Sequence, residues 1–204
     1  MSFYSDHILP HVINLAMRNR QLTPLRERVV SRAEGRVLEI GIGSGLNLPF
    51  YGKRAEHLFG LEPAGRLLTM AQSRAAGSQR SVTFVAASAE AIPLDDHSID
   101  TIVTTWTLCS IPDAMTALHE MRRVLRSEGQ LLFIEHGLAP EASVQRWQDR
   151  LTPLWSKIGG GCHLNRPIRT LIENAGFAVT ELDTGYIKGP RPMTFTYQGR
   201  AAPA

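Results

Sequence analysis

An apolar stretch that runs without interruption into alternating glycines, Val37-Leu38-Glu39-Ile40-Gly41-Ile42-Gly43-Ser44-Gly45-Leu46-Asn47, constrains this chain more than any other segment. Such a strand-to-glycine junction brings a ligand close to bare backbone. A dinucleotide fingerprint, G-x-G-x-x-G, needs its third glycine at position 46, where Leu46 stands instead. The pattern G-x-G-x-G with Glu39 two residues ahead of it suits a nucleoside that carries an amino-acid tail and no phosphate. Glu39 would face an ammonium group, and the free amides of a helix start near Asn47 would face a carboxylate. A cofactor-binding turn is therefore expected at Glu39, Gly41, Ile42, Gly43, Gly45 and Asn47. Gly60-Leu61-Glu62-Pro63 closes a second strand-like run. Glu62, with Pro63 beside it, is placed there to accept two hydrogen bonds from ribose hydroxyls. A third polar segment puts Ser88, Ala89 and Glu90 where an adenine would be edged.

These segments belong to a regular alternation. Strand-like runs at residues 36–40, 57–61, 82–86, 99–105 and 130–135 are separated by helical patterns at 64–76 and 114–125, the second opened by Asp113 as N-cap. Parallel strands with crossover helices follow: a Rossmann-like, doubly wound α/β sheet with helices on both faces, which binds ligands at the carboxyl ends of its strands. Residues 142–157 read as an extra helix, broken at Pro153 and followed by Gly159-Gly160-Gly161, inserted over the site. A helix at 167–174 and strand-like runs at 177–183 and 193–199 complete a seven-stranded sheet. Ahead of the first strand, Ile8, Val12, Leu15 and Ala16 recur at helical spacing, giving an amphipathic helix across the domain.

At 204 residues and 43% hydrophobic, the chain supports one substantial core and one domain. The expected parts are an N-terminal helical lid (1–34), a cofactor-binding core (35–136), a substrate-side insertion (137–166) and a C-terminal helix with strands (167–204). No apolar run reaches the roughly 18 to 20 residues that span a bilayer, and the start lacks the order of a secretory signal, so a cytoplasmic location is expected. The basic excess behind the formal charge of +3 is concentrated in Arg18, Arg20, Arg26, Arg28, Arg32 and Arg36. Without interleaved aromatics this reads as a solvated helix face, with at most a weak attraction to membrane surfaces and no nucleic-acid partner. Two cysteines, Cys109 and Cys162, are too few for a disulfide framework; a metal held by Cys109, Cys162, His136 and His163 is conceivable, but the adjacent Cys162-His163 is not a usual ligand spacing. Reduced thiols and no metal are expected.

As a set, the segment from Glu39 to Gly45, Glu62, the stretch from Ser88 to Pro93 and the turn from Val124-Leu125-Arg126 to Gly129 resemble class I S-adenosylmethionine-dependent methyltransferases over residues 35–136. The resemblance implies a mostly parallel sheet whose last strand is antiparallel. It also implies S-adenosyl-L-methionine as cofactor and S-adenosyl-L-homocysteine as product, with the cofactor across the first, second and fourth strand ends. Where the family often places an Asp against the adenine, this chain has Ser88. Thr107-Leu108-Cys109-Ser110, Ile134-Glu135-His136, Trp147, Pro153, Trp155, Gly161-Cys162 and Leu164-Asn165-Arg166 resemble a narrower group, the methyltransferase-like alkyl thiol S-methyltransferases, which implies a thiol acceptor. Weaker similarity extends to ubiquinone/menaquinone C-methyltransferases and bacterial phospholipid N-methyltransferases.

Methyl transfer is an in-line displacement at a carbon already activated by its sulfonium, so alignment and exclusion of water supply most of the rate. A thiol with pKa near 8.5 is only a few per cent ionised at neutral pH, so a neighbouring base helps. His136, at the end of the fifth strand, and His163, after the glycine run, are the candidate catalytic residues; each has an ordinary alternative as a core or loop histidine. Thr105 and Trp106 end the fourth strand and are expected beside the cofactor, Trp106 through a cation–π contact or as core packing. Tyr4, Cys109, Trp147, Trp155 and Asn165 are candidate acceptor contacts, with the two tryptophans roofing an apolar pocket. No Asn-Pro-Pro-Tyr-like motif follows the fourth strand, which disfavours the planar amines of bases. A small or lipid-like acceptor is expected, a thiol first. Phospholipid N-methylation and a cofactor-binding subunit without turnover are the competing readings.

Overall fold

The computed structural model describes residues 3–77 and 81–204. Seven strands, β1 (Gly35–Ile40), β2 (Ala55–Leu61), β3 (Val82–Val85), β4 (Ile99–Thr105), β5 (Leu125–His136), β6 (Phe177–Tyr186) and β7 (Phe195–Pro203), form one sheet in the order β3-β2-β1-β4-β5-β7-β6. The pairings from β3 through β5 are all parallel, while β7 is antiparallel to both β5 and β6. The helices are α1 (Leu9–Met17), α2 (Thr23–Val30), α3 (Gly65–Ala76), α4 (Ala114–Val124), α5 (Ala142–Ile158) and α6 (Ile168–Asn174). The chain winds outward from β1 in both directions, and that reversal opens a crevice at the carboxyl ends of β1, β2 and β4.

The central strands are apolar on both faces because both are covered. On one side Leu38, Ile40, Ile102 and Phe133 pack with Leu118 and Met121 of α4 and Ile168 and Ile172 of α6. On the other, Val37, Leu58, Val103 and Leu132 meet Leu25 and Val29 of α2 and Leu68 and Ala71 of α3. Asp113 caps α4 as expected, its carboxylate accepting from the amides of Met115 at 3.1 Å and Thr116 at 3.0 Å. No helix among the described residues is long and apolar enough to cross a membrane.

Several expectations are corrected. The glycine turn opens no α-helix, only one turn of 3-10 helix at Leu48–Phe50. α5 continues through Pro153, because it is docked on the N-terminal side of the proline. The buried Gln148 amide donates to the carbonyls of Gly137 at 3.0 Å and Pro192 at 3.2 Å, and the Thr152 hydroxyl donates to the Gln148 carbonyl at 2.7 Å. α1 presents the opposite face to the one read from its spacing: Ile8, Val12 and Leu15 are exposed, whereas Leu9, Ile13 and Met17 turn inward. The arginine stretch is no single solvated face either, since Arg32 grips Glu181 through two bonds of 2.7 and 2.8 Å and Arg28 pairs with Asp183 at 3.2 Å, both acids lying on β6.

Candidate active site

The turn after β1 holds its shape through left-handed glycines, with φ of 63° at Gly41 and 56° at Gly43. A Cβ on Gly41 would collide with the Thr107 side chain at 2.5 Å, so the turn packs directly on the loop that follows β4. A Cβ on Gly43 would meet nothing nearer than the Gly41 carbonyl at 3.9 Å, and its hydrogen keeps that space open. Glu62, at the end of β2, locks the turn from the other side. Its carboxylate accepts from the Gly43 amide at 3.0 Å and the Ala64 amide at 2.9 Å. Burial pushes the Glu62 carboxyl above its ordinary range, against the pull of those two amides. Each of its oxygens keeps a free lone pair for a further donor.

Behind the turn lies a buried polar network. Glu39 accepts from the Asn47 amide at 2.8 Å and the Tyr51 hydroxyl at 2.8 Å, and Asn47 also donates to Thr105 at 2.9 Å. The Asn47 carbonyl in turn accepts from the Arg26 guanidinium at 2.9 Å. Burial raises the Glu39 carboxyl to about 7, with Tyr51, Asn47 and the charge of Arg26 pulling the other way. It lowers Arg26 to about 10 for the same reason. Burial thus outweighs the attraction between the two. Arg26 also lies over the Trp106 ring, 4.8 Å from its centroid, so that face of the indole is already occupied. Trp106 itself sits at φ 51°, strained for a residue with a bulky side chain.

These groups line a cavity of about 340 Å³ between the strand ends and α1. Of the expected cofactor contacts, Glu39, Gly41, Ile42, Gly43, Asn47, Glu62, Pro63, Ser88, Ala89, Thr105 and Trp106 all line it. Gly45 and Glu90 do not. Gly45 packs on Leu48 and Ala71 below the turn, and Glu90 accepts from the Ser88 hydroxyl at 2.7 Å and the Asp113 amide at 2.7 Å. The cavity adds residues not expected as site contacts: Leu9, Pro10, Ile13 and Met17 of α1, Arg26 of α2, and Ser110 and Ile111 after β4. Arg26 had a readable signal, since it recurs with Leu22, Val29 and Val30 at helical spacing and so falls on the apolar face of α2.

The expected acceptor and catalytic residues are placed elsewhere. The Tyr4 hydroxyl donates to the Ile158 carbonyl at 2.8 Å, Asn165 donates to Asp149 at 2.8 Å, and Trp147 is exposed beneath Arg150. Eight residues on a helix turn through about 80° beyond two full turns, so Trp155 does not share the face of Trp147; it lies near Cys162 and helps to lower that thiol's pKa. Cys109, His136 and Cys162 converge just behind the cavity wall, and His163 bonds back to the Cys109 carbonyl. Neither histidine lines the cavity, whose only charged linings among the described residues are Arg26, Glu39 and Glu62. The Cys109 thiol donates to the Trp106 carbonyl at 3.6 Å; the neighbouring Cys162 and burial raise its pKa, while Cys109 lowers that of Cys162 against the effect of burial.

A family model for a methyltransferase domain matches residues 38–133. The human thiol S-methyltransferase TMT1B is 34% identical over 178 residues, covering 81% of this chain and 72% of the relative. The chain belongs to the S-adenosylmethionine-dependent methyltransferases. Human thiol S-methyltransferase TMT1A is 32% identical to this methyltransferase over 90% of the chain and 78% of the relative. A solved SAM-dependent methyltransferase from Thermotoga maritima, 22% identical, shares the fold with a TM-score of 0.69 over 97% of this chain and 99% of its own.

S-adenosylmethionine is the methyl donor, and the cavity suits it in shape and charge. Bare backbone at Gly43, a carboxylate with spare lone pairs at Glu62, and the Arg26–Glu39 pair match its hydroxyl-rich and zwitterionic ends. When bound, it supplies a methyl carbon activated by a sulfonium.

Proposed function

We propose that this methyltransferase acts on the sulfur of a small thiol. The likeness to a named thiol S-methyltransferase over 81% of the chain supports this reading most directly. Glu62 would hold the ribose hydroxyls, Arg26 and Glu39 the carboxylate and ammonium of the methionyl end, and Ser88 with Ala89 the adenine edge. Leu9, Ile13, Met17 and Ile111 would then enclose an apolar acceptor and exclude water from the reacting centre.

The cavity lining agrees with an acceptor that ionises by itself. Among the described residues no histidine, lysine, cysteine or tyrosine lines it. Without a base, a thiol of pKa near 8.5 still offers a few per cent of thiolate at neutral pH, whereas an amine with pKa near 10 offers more than tenfold less of its free form. The motivation for phospholipid N-methylation is reduced, because Arg28 and Arg32 pair with β6 and Arg26 is buried, which leaves Arg18, Arg20 and Arg36 as the exposed members of the stretch.

The test is a panel of alkyl and aryl thiols of graded pKa, run beside amines and quinols, with S-adenosylhomocysteine and methylated product both measured. Methyl thioethers are expected, with kcat/KM across pH following the ionised fraction of each thiol. A panel that yields no thioether while an amine or quinol is methylated ends the thiol reading.

A further inference from the structure

Three segments distant in sequence bring soft ligands together. Cys109 follows β4, His136 ends β5, and Cys162 follows α5. One ligand atom from each lies within 4.8 Å of the other two. The cluster is anchored: the His163 amide donates to the Cys109 carbonyl at 2.8 Å, which ties the segment after α5 to the loop after β4. Cys109 is 2% exposed and His136 6% exposed, and His136 Nε2 has no hydrogen-bond partner despite its burial. The neighbouring Glu135 Oε2 is likewise buried without a partner. Buried polar atoms are ordinarily satisfied, so two orphans beside a pair of thiols call for a physical account.

We propose that Cys109, His136 and Cys162 bind one zinc-class divalent cation, leaving its fourth position for water or an exogenous ligand. Two thiolates and an imidazole form the donor set that borderline-soft ions prefer, and three protein ligands are the count found where one position stays open. The charges balance as well. Two thiolates cancel a divalent ion, giving a neutral centre in a place where an isolated charge is costly. Binding releases the two thiol protons to solvent. A tetrahedral centre with metal–sulfur bonds of about 2.3 Å sets its sulfurs about 3.8 Å apart, so the present spread of up to 4.8 Å closes with small side-chain rotations. The cavity wall is adjacent: the hydroxyl of Ser110, a lining residue, is 3.5 Å from the Cys109 sulfur, and Gly160, two residues before Cys162, also lines it. In sequence, the adjacent Cys162-His163 sets Cys109, Cys162, His136 and His163 aside as a metal group; the fold brings three of the four together and turns His163 back to the Cys109 carbonyl instead.

The experiment uses the full chain. Metal content is measured after purification, and the metal-free chain is then titrated with cobalt(II) as the spectroscopic stand-in for zinc. The expected result is one zinc per chain, with cobalt giving tetrahedral ligand-field bands and a thiolate-to-cobalt charge-transfer band. Cys162→Ser, at the half-buried position, should weaken cobalt binding more than about 100-fold, beyond the 10- to 100-fold loss typical of an outer-shell partner. Its calorimetric titration with S-adenosylmethionine, expected to match the parent, shows that the variant is folded. Cobalt bound without a charge-transfer band, equal cobalt affinity in parent and Cys162→Ser, or a metal-free chain whose cysteines are found joined as a disulfide would each overturn the proposal.

Discussion

Glu39 shows how a single buried acid records its surroundings. It is 1% exposed, faces Arg26, Tyr51, Asn47 and Glu62, and is raised by burial from 4.5 to about 7. Between those two values the folded chain holds a proton that the unfolded chain has released. Folding stability must therefore fall as pH rises through that window and level off above it. The shift of about 2.5 units corresponds to about 3 kcal/mol. Glu39→Gln removes the titration and keeps both contacts, because the new amide oxygen accepts from Asn47 while its nitrogen donates to the Tyr51 oxygen. In denaturant titrations of the ligand-free chain, the parent should lose about 2 to 3 kcal/mol more than Glu39→Gln between pH 4.5 and 8. Glu62, raised in the same direction, leaves a residual slope in both. Parallel curves would mean that Glu39 is not protonated in the fold.

At the scale of elements, local pattern revealed what local chemistry decides. The strand runs, the glycine turn and the Asp113 cap depend on neighbours in sequence, and they stand where the pattern put them. α1 differs because it is apolar on two sides. Its period announces a helix without saying which side meets the domain, and only the strand ends beneath it select Leu9, Ile13 and Met17. Arg26 carried two opposed signals, its type saying surface and its spacing interior, and the partners that permit burial, Asn47 and Trp106, arrive from the segments after β1 and β4. Among the described side chains of α1 only Pro10 is buried, so this helix contributes more to the cavity than to the core. Ile13→Ala should accordingly weaken S-adenosylmethionine binding by about 1 kcal/mol through lost apolar contact. It should shift the melting temperature of the ligand-free chain by no more than about 2 °C. The opposite split, unchanged calorimetric affinity with a large loss of stability, would make α1 a core helix.

At the scale of the molecule, the cavity joins parts that the sheet alone leaves apart: α1 and α2 from the N-terminal segment, the turn after β1, the end of β2 and the loop after β4. The meeting of the three strand ends was legible through the family resemblance, and Cys109, His136 and Cys162 were weighed as ligands; the place of Arg26 and of the inward face of α1 was not, because it depends on strand order rather than on spacing. A ligand that touches all of these parts binds only the folded chain, so it must stabilise the whole by mass action. At one hundred times its Kd the gain is about 2.7 kcal/mol, which for a chain of this size raises the melting temperature by roughly 5 to 10 °C. Glu62→Ala supplies the internal control. Losing a charge-assisted acceptor costs about 1.5 to 3 kcal/mol of affinity, so at the same S-adenosylmethionine concentration most of the thermal shift should vanish. The variant also frees the Gly43 and Ala64 amides, which lowers its ligand-free melting temperature. The shift on adding ligand, rather than the absolute temperature, is therefore the quantity that decides. A parent that melts at the same temperature with and without S-adenosylmethionine would show that the cofactor does not bridge these elements, whereas equal shifts in parent and variant would remove Glu62 alone from the site.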